Sequence, residues 1–255
     1  MTDGTVLQVE VARGVARLTL DSPANRNALS RAMRAQLRQA LTDVLADDAV
    51  RVVVLDHTGR VFCSGMDLSE AAGAGAGDQG VRELPDLLQA LWTSPKPVLA
   101  VVRGPARAGG VGLAAACDVV VAGASATFGM SEVRLGLVPA VISAVVLPRM
   151  LPHVAHRLML TGEVFDAAAA AAGGLVDLVA PDGEVDGVAD VQVRALAAGS
   201  PWALAETKRL LRSGGLRGSF DDLLELSARA FAGEDGQEGI AAFREKRPAR
   251  WVPSL

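Results

Sequence analysis

Along the chain, the spacing of apolar positions switches between that of strands and that of helices. Val6 to Val11 and Gly14 to Leu20 read as two strands joined by a tight turn at Arg13-Gly14. Ser30 is placed to cap a helix that carries Met33, Leu37, Leu41, Val44 and Leu45 at helical intervals. Val50 to Leu55 is an unbroken apolar run, the signature of a strand buried on both faces, and Pro97 to Val102 and Asp118 to Ala122 read the same way. Ala71 to Gly80 is a loop by composition, and Val81 to Trp92 follows it as a helix.

This alternation predicts an α/β fold with mostly parallel pairing. From about Pro139 the strand signal nearly vanishes, with Val176 to Val179 the last candidate. After Ser200 the pattern is helical, broken at Gly214-Gly215 and at Gly233. Residues 1–199 are therefore expected to form one α/β core. Residues 200–255 are expected to form a helical C-terminal region that packs on a neighbour or covers the core. No stretch has the composition of an interdomain linker.

Composition narrows the class. Half of the 255 residues are apolar and 21% are charged, enough for a sizeable core. A formal net charge of -4 supplies no basic field for nucleic acid. No apolar run reaches the roughly 18 residues of a membrane span, and the first residues lack the basic and apolar regions of a signal peptide. A cytoplasmic location is the expectation. Cys63 and Cys117 fit neither a disulfide framework nor a zinc motif and read as buried reduced thiols. His153 and His156 share a helix face but have no third ligand nearby. Together with His57 they read as surface or capping residues.

Three segments concentrate unusual chemistry: Val61-Phe-Cys-Ser-Gly-Met-Asp-Leu68, Gly104-Pro-Ala-Arg-Ala-Gly-Gly-Val-Gly-Leu113 and Phe128-Gly-Met-Ser-Glu-Val-Arg-Leu-Gly-Leu-Val-Pro139. The second opens a helix near Gly109. The first N–H groups of a helix have no internal partner, the helix dipole adds partial positive charge there, and glycine lets a ligand approach the backbone. Such an end suits an anionic oxygen. A second N–H from the Ser64-Gly65-Met66 turn would make a two-donor oxyanion hole. Glu132 is the acid/base candidate of the third segment, or else a salt-bridge partner of Arg134 or Arg149. Arg107 reads as the partner of an acidic surface residue, or else of a phosphate or carboxylate on a ligand. Gly110 to Ala115 matches G-x-G-x-x-A, but seven residues separate Val102 from Gly110, too many for a dinucleotide turn. Ser64 is not in a G-x-S-x-G elbow, which argues against a serine hydrolase.

In this order the segments resemble the enoyl-CoA hydratase/isomerase, or crotonase, family. The resemblance takes in Pro23-Ala-Asn-Arg-Asn-Ala-Leu29, Pro95-Lys-Pro-Val98, Leu160-Thr-Gly-Glu163, Ala172-Gly-Gly-Leu-Val176 and Phe243-Arg-Glu-Lys246. It implies a crotonase-like spiral of ββα turns with a helical C-terminal trimerisation region, as a homotrimer or a dimer of trimers. It implies an acyl-coenzyme A thioester whose carbonyl oxygen accepts hydrogen bonds from the N–H groups of Met66 and Gly109, with Glu132 as the catalytic acid/base. No metal or redox cofactor is implied, coenzyme A being part of the substrate. Arg26, Ala28 and Leu29 would lie near the adenine-ribose end, with Phe243 and Lys246 supplied by an adjacent subunit. Ser64, Asp67, Leu68 and Gly110 would surround the substrate, Asp67 serving to fix its turn. Met66, Trp92, Met130 and Val141 are candidates for the acyl pocket.

The chain departs from the family pattern at one position. Many hydratases of the family carry a second glutamate three residues after the oxyanion glycine, and here that residue is Gly112. Hydration across C2 and C3 by Glu132 alone is the preferred expectation. A 3,2-enoyl-CoA isomerase, which needs one carboxylate, is the alternative, and a non-catalytic coenzyme A binder the third.

Overall fold

The computed structural model describes residues 4–71, 83–212 and 220–253. Strand β1 (Leu7–Ala12) pairs antiparallel with β2 (Val15–Leu20), turning through Arg13 and Gly14, both at positive φ. Every later pairing in this sheet is parallel. β3 (Val52–His57), β4 (Val98–Val102), β6 (Val119–Gly123) and β9 (Leu178–Ala180) extend it to the order β1-β2-β3-β4-β6-β9. A small second sheet joins β5 (Ala106–Arg107) parallel to β7 (Thr127–Gly129), which pairs antiparallel with β8 (Val164–Asp166).

The helices are α1 (Arg31–Ala46), α2 (Leu68–Ala71), α3 (Leu84–Thr93), α4 (Gly109–Ala116), α5 (Ala140–Val146), α6 (Pro152–Thr161), α7 (Ala167–Ala172) and α8 (Val185–Ala197), followed by α9 (Pro201–Arg212), α10 (Phe220–Ala232) and α11 (Glu234–Glu245). Ser30 caps α1, its hydroxyl accepting from the Met33 N–H at 3.3 Å.

The unbroken apolar runs have a simple cause. Successive strand residues face opposite sides, and here both sides are covered. Val53 and Leu55 of β3 join a core with Met33, Leu37 and Leu41 of α1, whereas Val52 and Val54 join a second core with Val185, Ala189 and Val193 of α8.

Several boundaries differ from expectation. β3 starts at Val52 because the Val50 N–H closes a turn onto the Asp47 carbonyl at 2.9 Å. β9 starts at Leu178 because the Val176 N–H turns back to Ala170 O. β5, β7 and β8 have two or three residues each, too few to show a period, so the sequence pattern does not reveal them. The expected helix from Val81 begins at Leu84; the loop beyond Ala71 and the Gly214-Gly215 break lie outside the described residues.

The first C-terminal helix is fastened to its own core. The buried Lys208 ammonium of α9 donates to Asp118 Oδ2 at 2.7 Å and to the Leu91 carbonyl at 3.0 Å. Arg212 donates to Asp118 Oδ1 at 3.0 Å, and its guanidinium lies 3.4 Å from the centre of the Trp92 ring. Asp118 also accepts the Val98 N–H that starts β4, at 2.8 Å. Gly233 caps α11, as the break there anticipated.

His57 is not a surface residue. It is buried at the end of β3, where its Nε2 accepts the Arg103 N–H at 3.1 Å and its ring meets Phe62 edge-on. Burial depresses its pKa below the usual imidazole range, against the opposing pull of the Thr58 carbonyl and Asp56. Burial alone would raise Asp56, but its hydrogen bond to Arg103 and the nearby charges of Arg103 and Arg17 leave it lowered. The folded chain thus binds fewer protons than the unfolded chain at both groups, so acid favours unfolding. The His57 contribution is lost as pH falls below about 6.5 and the Asp56 contribution below about 3.9. The melting temperature should fall between pH 7 and pH 5, with a shallower slope in His57→Gln. Equal slopes in the two proteins would show that His57 carries none of the dependence.

Candidate active site

Main-chain bonding draws three separate segments into one place. The Ser64 N–H donates to Arg26 O at 3.1 Å, and the Leu29 N–H to Gly65 O at 2.8 Å. On the other side, the Phe62 N–H donates to Pro105 O at 3.0 Å and the Arg107 N–H to Cys63 O at 2.9 Å. Residues 62–66 are thus held between the turn before α1 and the approach to α4.

That turn rests on a residue to which sequence reasoning assigned no role. Asn27 is fully buried at φ 52°, a left-handed conformation that asparagine tolerates better than most residues. Its Oδ1 accepts the Ser22 N–H at 2.7 Å, and its Nδ2 donates to Val61 O at 2.8 Å and to Thr58 O at 3.0 Å. Its place between Pro23 and Leu29 was the available signal.

Gly65 sits at φ +91°, and a Cβ there would come within 3.1 Å of both Ala108 Cβ and the Arg107 carbonyl. Ala108 precedes α4 with φ 47° and ψ -114°, a conformation costing of order 1–3 kcal/mol in a residue other than glycine. Two hydrogen bonds hold it there: its N–H donates to Gly129 O at 2.9 Å and its carbonyl accepts the Gly112 N–H at 3.1 Å. The Met66 and Gly109 N–H groups donate to no acceptor among the described residues. Both residues line a cavity of about 580 Å³, a size typical of a small-molecule site.

Glu132 lines the same cavity from the single helical turn Glu132–Leu135. Neither proposed ion pair forms: Arg134 donates to the Thr161 carbonyl, and Arg149 to Asp177 and the Leu175 and Cys117 carbonyls. Glu132 Oε2 is buried with no hydrogen-bond partner among the described residues. Burial raises its pKa above the usual glutamate value, only partly opposed by its own N–H. The remaining wall is largely apolar, with Leu68, Leu84, Leu137, Val141 and Ile142 prominent in it.

The other expected residues divide. Ser64, Met66, Leu68 and Val141 line the cavity. Asp67 does not; its carboxylate accepts from the Ser69 N–H at 3.0 Å and Ser69 hydroxyl at 2.6 Å, fixing the turn into α2. Ala28, Leu29 and Gly110 are buried and act as support rather than as accessible surface, whereas Arg26 is exposed. Gly110 has a main-chain reason to be glycine, since a Cβ would fall 2.5 Å from the Cys63 carbonyl oxygen. Met130 is buried in the core, and Trp92 stacks under Arg212, so neither lines the cavity. Arg107 meets no acidic residue among those described; its Nη1 donates to the Ala106 and Thr127 carbonyls and its Nη2 to Thr127 Oγ1. Phe243 and Lys246 are exposed in the C-terminal region and do not line this cavity. The Cys63 and Cys117 thiols are buried and pushed up to about 12, which removes them as nucleophiles.

The sequence profile described as enoyl-CoA hydratase/isomerase matches residues 10–253. The chain belongs to the enoyl-CoA hydratase/isomerase family. Enoyl-CoA hydratase EchA19 of Mycobacterium tuberculosis is 36% identical over 240 residues, covering 90% of this chain and 90% of that protein. The 2,3-dehydroadipyl-CoA hydratase of Escherichia coli is 35% identical over 237 residues, covering 91% and 93%. Among solved structures, Pseudomonas aeruginosa AtuE superposes with a TM-score of 0.92 at 36% identity, covering 97% of this chain and all of its own. The mixed α/β core with a helical C-terminal region is the crotonase fold of these structures.

Asn27→Ala would leave the Ser22 N–H without its acceptor and take one donor from each of the Val61 and Thr58 carbonyls, which still face the His57 ring. A buried group left unpaired costs about 1–3 kcal/mol, so a denaturant titration should show a loss of about that size. A loss under about 1 kcal/mol would mean that water replaces the amide freely.

Proposed function

We propose that this protein is an enoyl-CoA hydratase-like lyase that adds water across the C2–C3 double bond of an acyl-coenzyme A thioester. The observation that carries the reading is the buried Glu132 Oε2 in the same cavity wall as the N–H groups of Met66 and Gly109, all three without a partner among the described residues. In this reading the thioester oxygen accepts from both amides. The Glu132 carboxylate takes a proton from water as the water oxygen bonds to C3, and the C2–C3 π electrons move onto the thioester as an enolate. The two donors stabilise that charge, an effect worth about 3–4 kcal/mol for one such donor in other enzymes. Protonated Glu132 then returns the proton to C2, and one water has been added.

The raised pKa of Glu132 suits a group that must both accept and return a proton. The coenzyme would run toward Arg26, with Phe243 and Lys246 contributed by an adjacent subunit of a homotrimer or dimer of trimers. The 86% exposure of Phe243 in a single chain accords with that role. A cytoplasmic location belongs to this proposal; no described helix is long and apolar enough to cross a membrane. Ser64 and Leu68 would flank the acyl thioester, Asp67 and Gly110 acting from behind.

A second reading is 3,2-enoyl-CoA isomerisation, in which Glu132 moves one proton between C2 and C4. The absence of a second carboxylate at Gly112 favours it. Incubation with matched 2-enoyl and 3-enoyl thioesters, followed by mass analysis, separates the two: gain of one water from the 2-enoyl compound is expected, and a shifted alkene at unchanged mass would select the isomerase. Coenzyme A affinity without turnover of either would select the non-catalytic binder.

Glu132→Gln should lower kcat by roughly 10²–10⁴ while leaving acyl-thioester affinity nearly unchanged. In the parent, kcat/KM should fall with acid through a pKa above the usual glutamate value, because the base must be ionised to accept a proton. Equal losses in binding and turnover would remove Glu132 from the chemistry.

A further inference from the structure

We propose that Ile142 is the specificity-determining residue that keeps this a one-carboxylate site, because it fills the space that a side chain at position 112 would need. The proposal rests on the acyl-thioester reading above and deepens it. Gly112 lies three residues after Gly109 in α4, on the same helical face. A Cβ there would come within 2.7 Å of Ile142 Cγ2, 3.3 Å of Ile142 Cβ and 3.5 Å of Leu88 Cδ1. Ile142 is β-branched and stands in α5, so rotation about χ1 cannot clear the space without leaving its preferred rotamer. It is 3% exposed, yet it lines the cavity that Glu132 also lines.

The contrast with Gly110 makes the inference specific. At Gly110 the obstruction is the Cys63 backbone, which no substitution removes. At Gly112 the nearest obstruction is the side chain of one residue. A carboxylate at 112 becomes possible when residue 142 is made smaller, and it would then grow toward the part of the cavity wall that Ile142 now forms. With Ile142 in place, that part of the wall presents methyl groups. The attacking water is then positioned by Glu132 without a second acid.

The test is a cycle of Gly112→Glu, Ile142→Ala and the double variant, read by melting temperature and by products from 2-enoyl and 3-enoyl thioesters. Gly112→Glu alone should lower the melting temperature by roughly 3–10 °C through overpacking. The double variant should melt above Gly112→Glu, although Ile142→Ala by itself also destabilises. It should also hydrate the 2-enoyl thioester about tenfold or more faster than Ile142→Ala, with no matching gain in isomerisation. Gly112→Ala carries the same Cβ and replaces Gly112→Glu in the melting cycle where the glutamate variant does not fold. Additive melting losses would overturn the packing claim. A double variant that hydrates no faster than Ile142→Ala would overturn the chemical one. Failure of the parent protein to turn over either thioester would instead sink the acyl-thioester reading, leaving the melting cycle to judge the packing.

Discussion

Two main-chain N–H groups without acceptors among the described residues, those of Met66 and Gly109, can persist only because the chain around them is pinned from both sides. An unpaired amide at a cavity wall invites the backbone to rearrange until it finds a carbonyl. Here the neighbouring hydrogen bonds leave no freedom to do so. Residues 62–66 are clamped between the turn at Arg26–Leu29 and the approach at Pro105–Arg107, and Ala108 is held in a strained conformation by bonds to Gly129 and Gly112. Strain of that kind survives where surrounding structure over-determines it. The fold therefore spends rigidity on keeping two donors free.

The same logic governs the carboxyl group. Burying an ionised carboxylate without a partner is costly, so Glu132 responds by holding its proton more tightly. A salt bridge to Arg134 or Arg149 would have relieved the cost and lowered the pKa. Instead both arginines are occupied with backbone carbonyls and Asp177. A carboxyl that holds its proton tightly shares a largely apolar wall with two amides that have no acceptor among the described residues, and the proposed chemistry rests on that arrangement.

Much of this was legible in the sequence, for physical reasons that can be named. The two-sided burial of β3 and β4 forces unbroken apolar runs, and Ser30 marks the start of α1. The glycines at 65, 109 and 110 mark close backbone approach, and three of the surfaces they face are now identifiable as Ala108, Leu29 and Cys63. What stayed hidden depends on contacts distant in sequence. β5, β7 and β8 are too short to leave a periodic trace. Asn27 looks like an ordinary turn residue until its partners at Ser22, Thr58 and Val61 are known. His57 looks like a surface histidine until Arg103 is placed beside it. Ala28 and Leu29 are buried in the turn that carries residues 62–66.

Gly112 shows most directly why one departure from a family pattern cannot be interpreted alone. In sequence it is a missing acid. In the structure it is one half of a packed pair, because Ile142 already occupies the direction in which any side chain at 112 would grow. Loss of a carboxylate by itself would leave a gap beside the site, and gaps in a close-packed interior cost stability in proportion to their volume. A methyl-filled wall is instead a stable alternative. The number of carboxylates at this site is thus a property of α4 and α5 together: an acid can enter from α4 only where α5 yields the room.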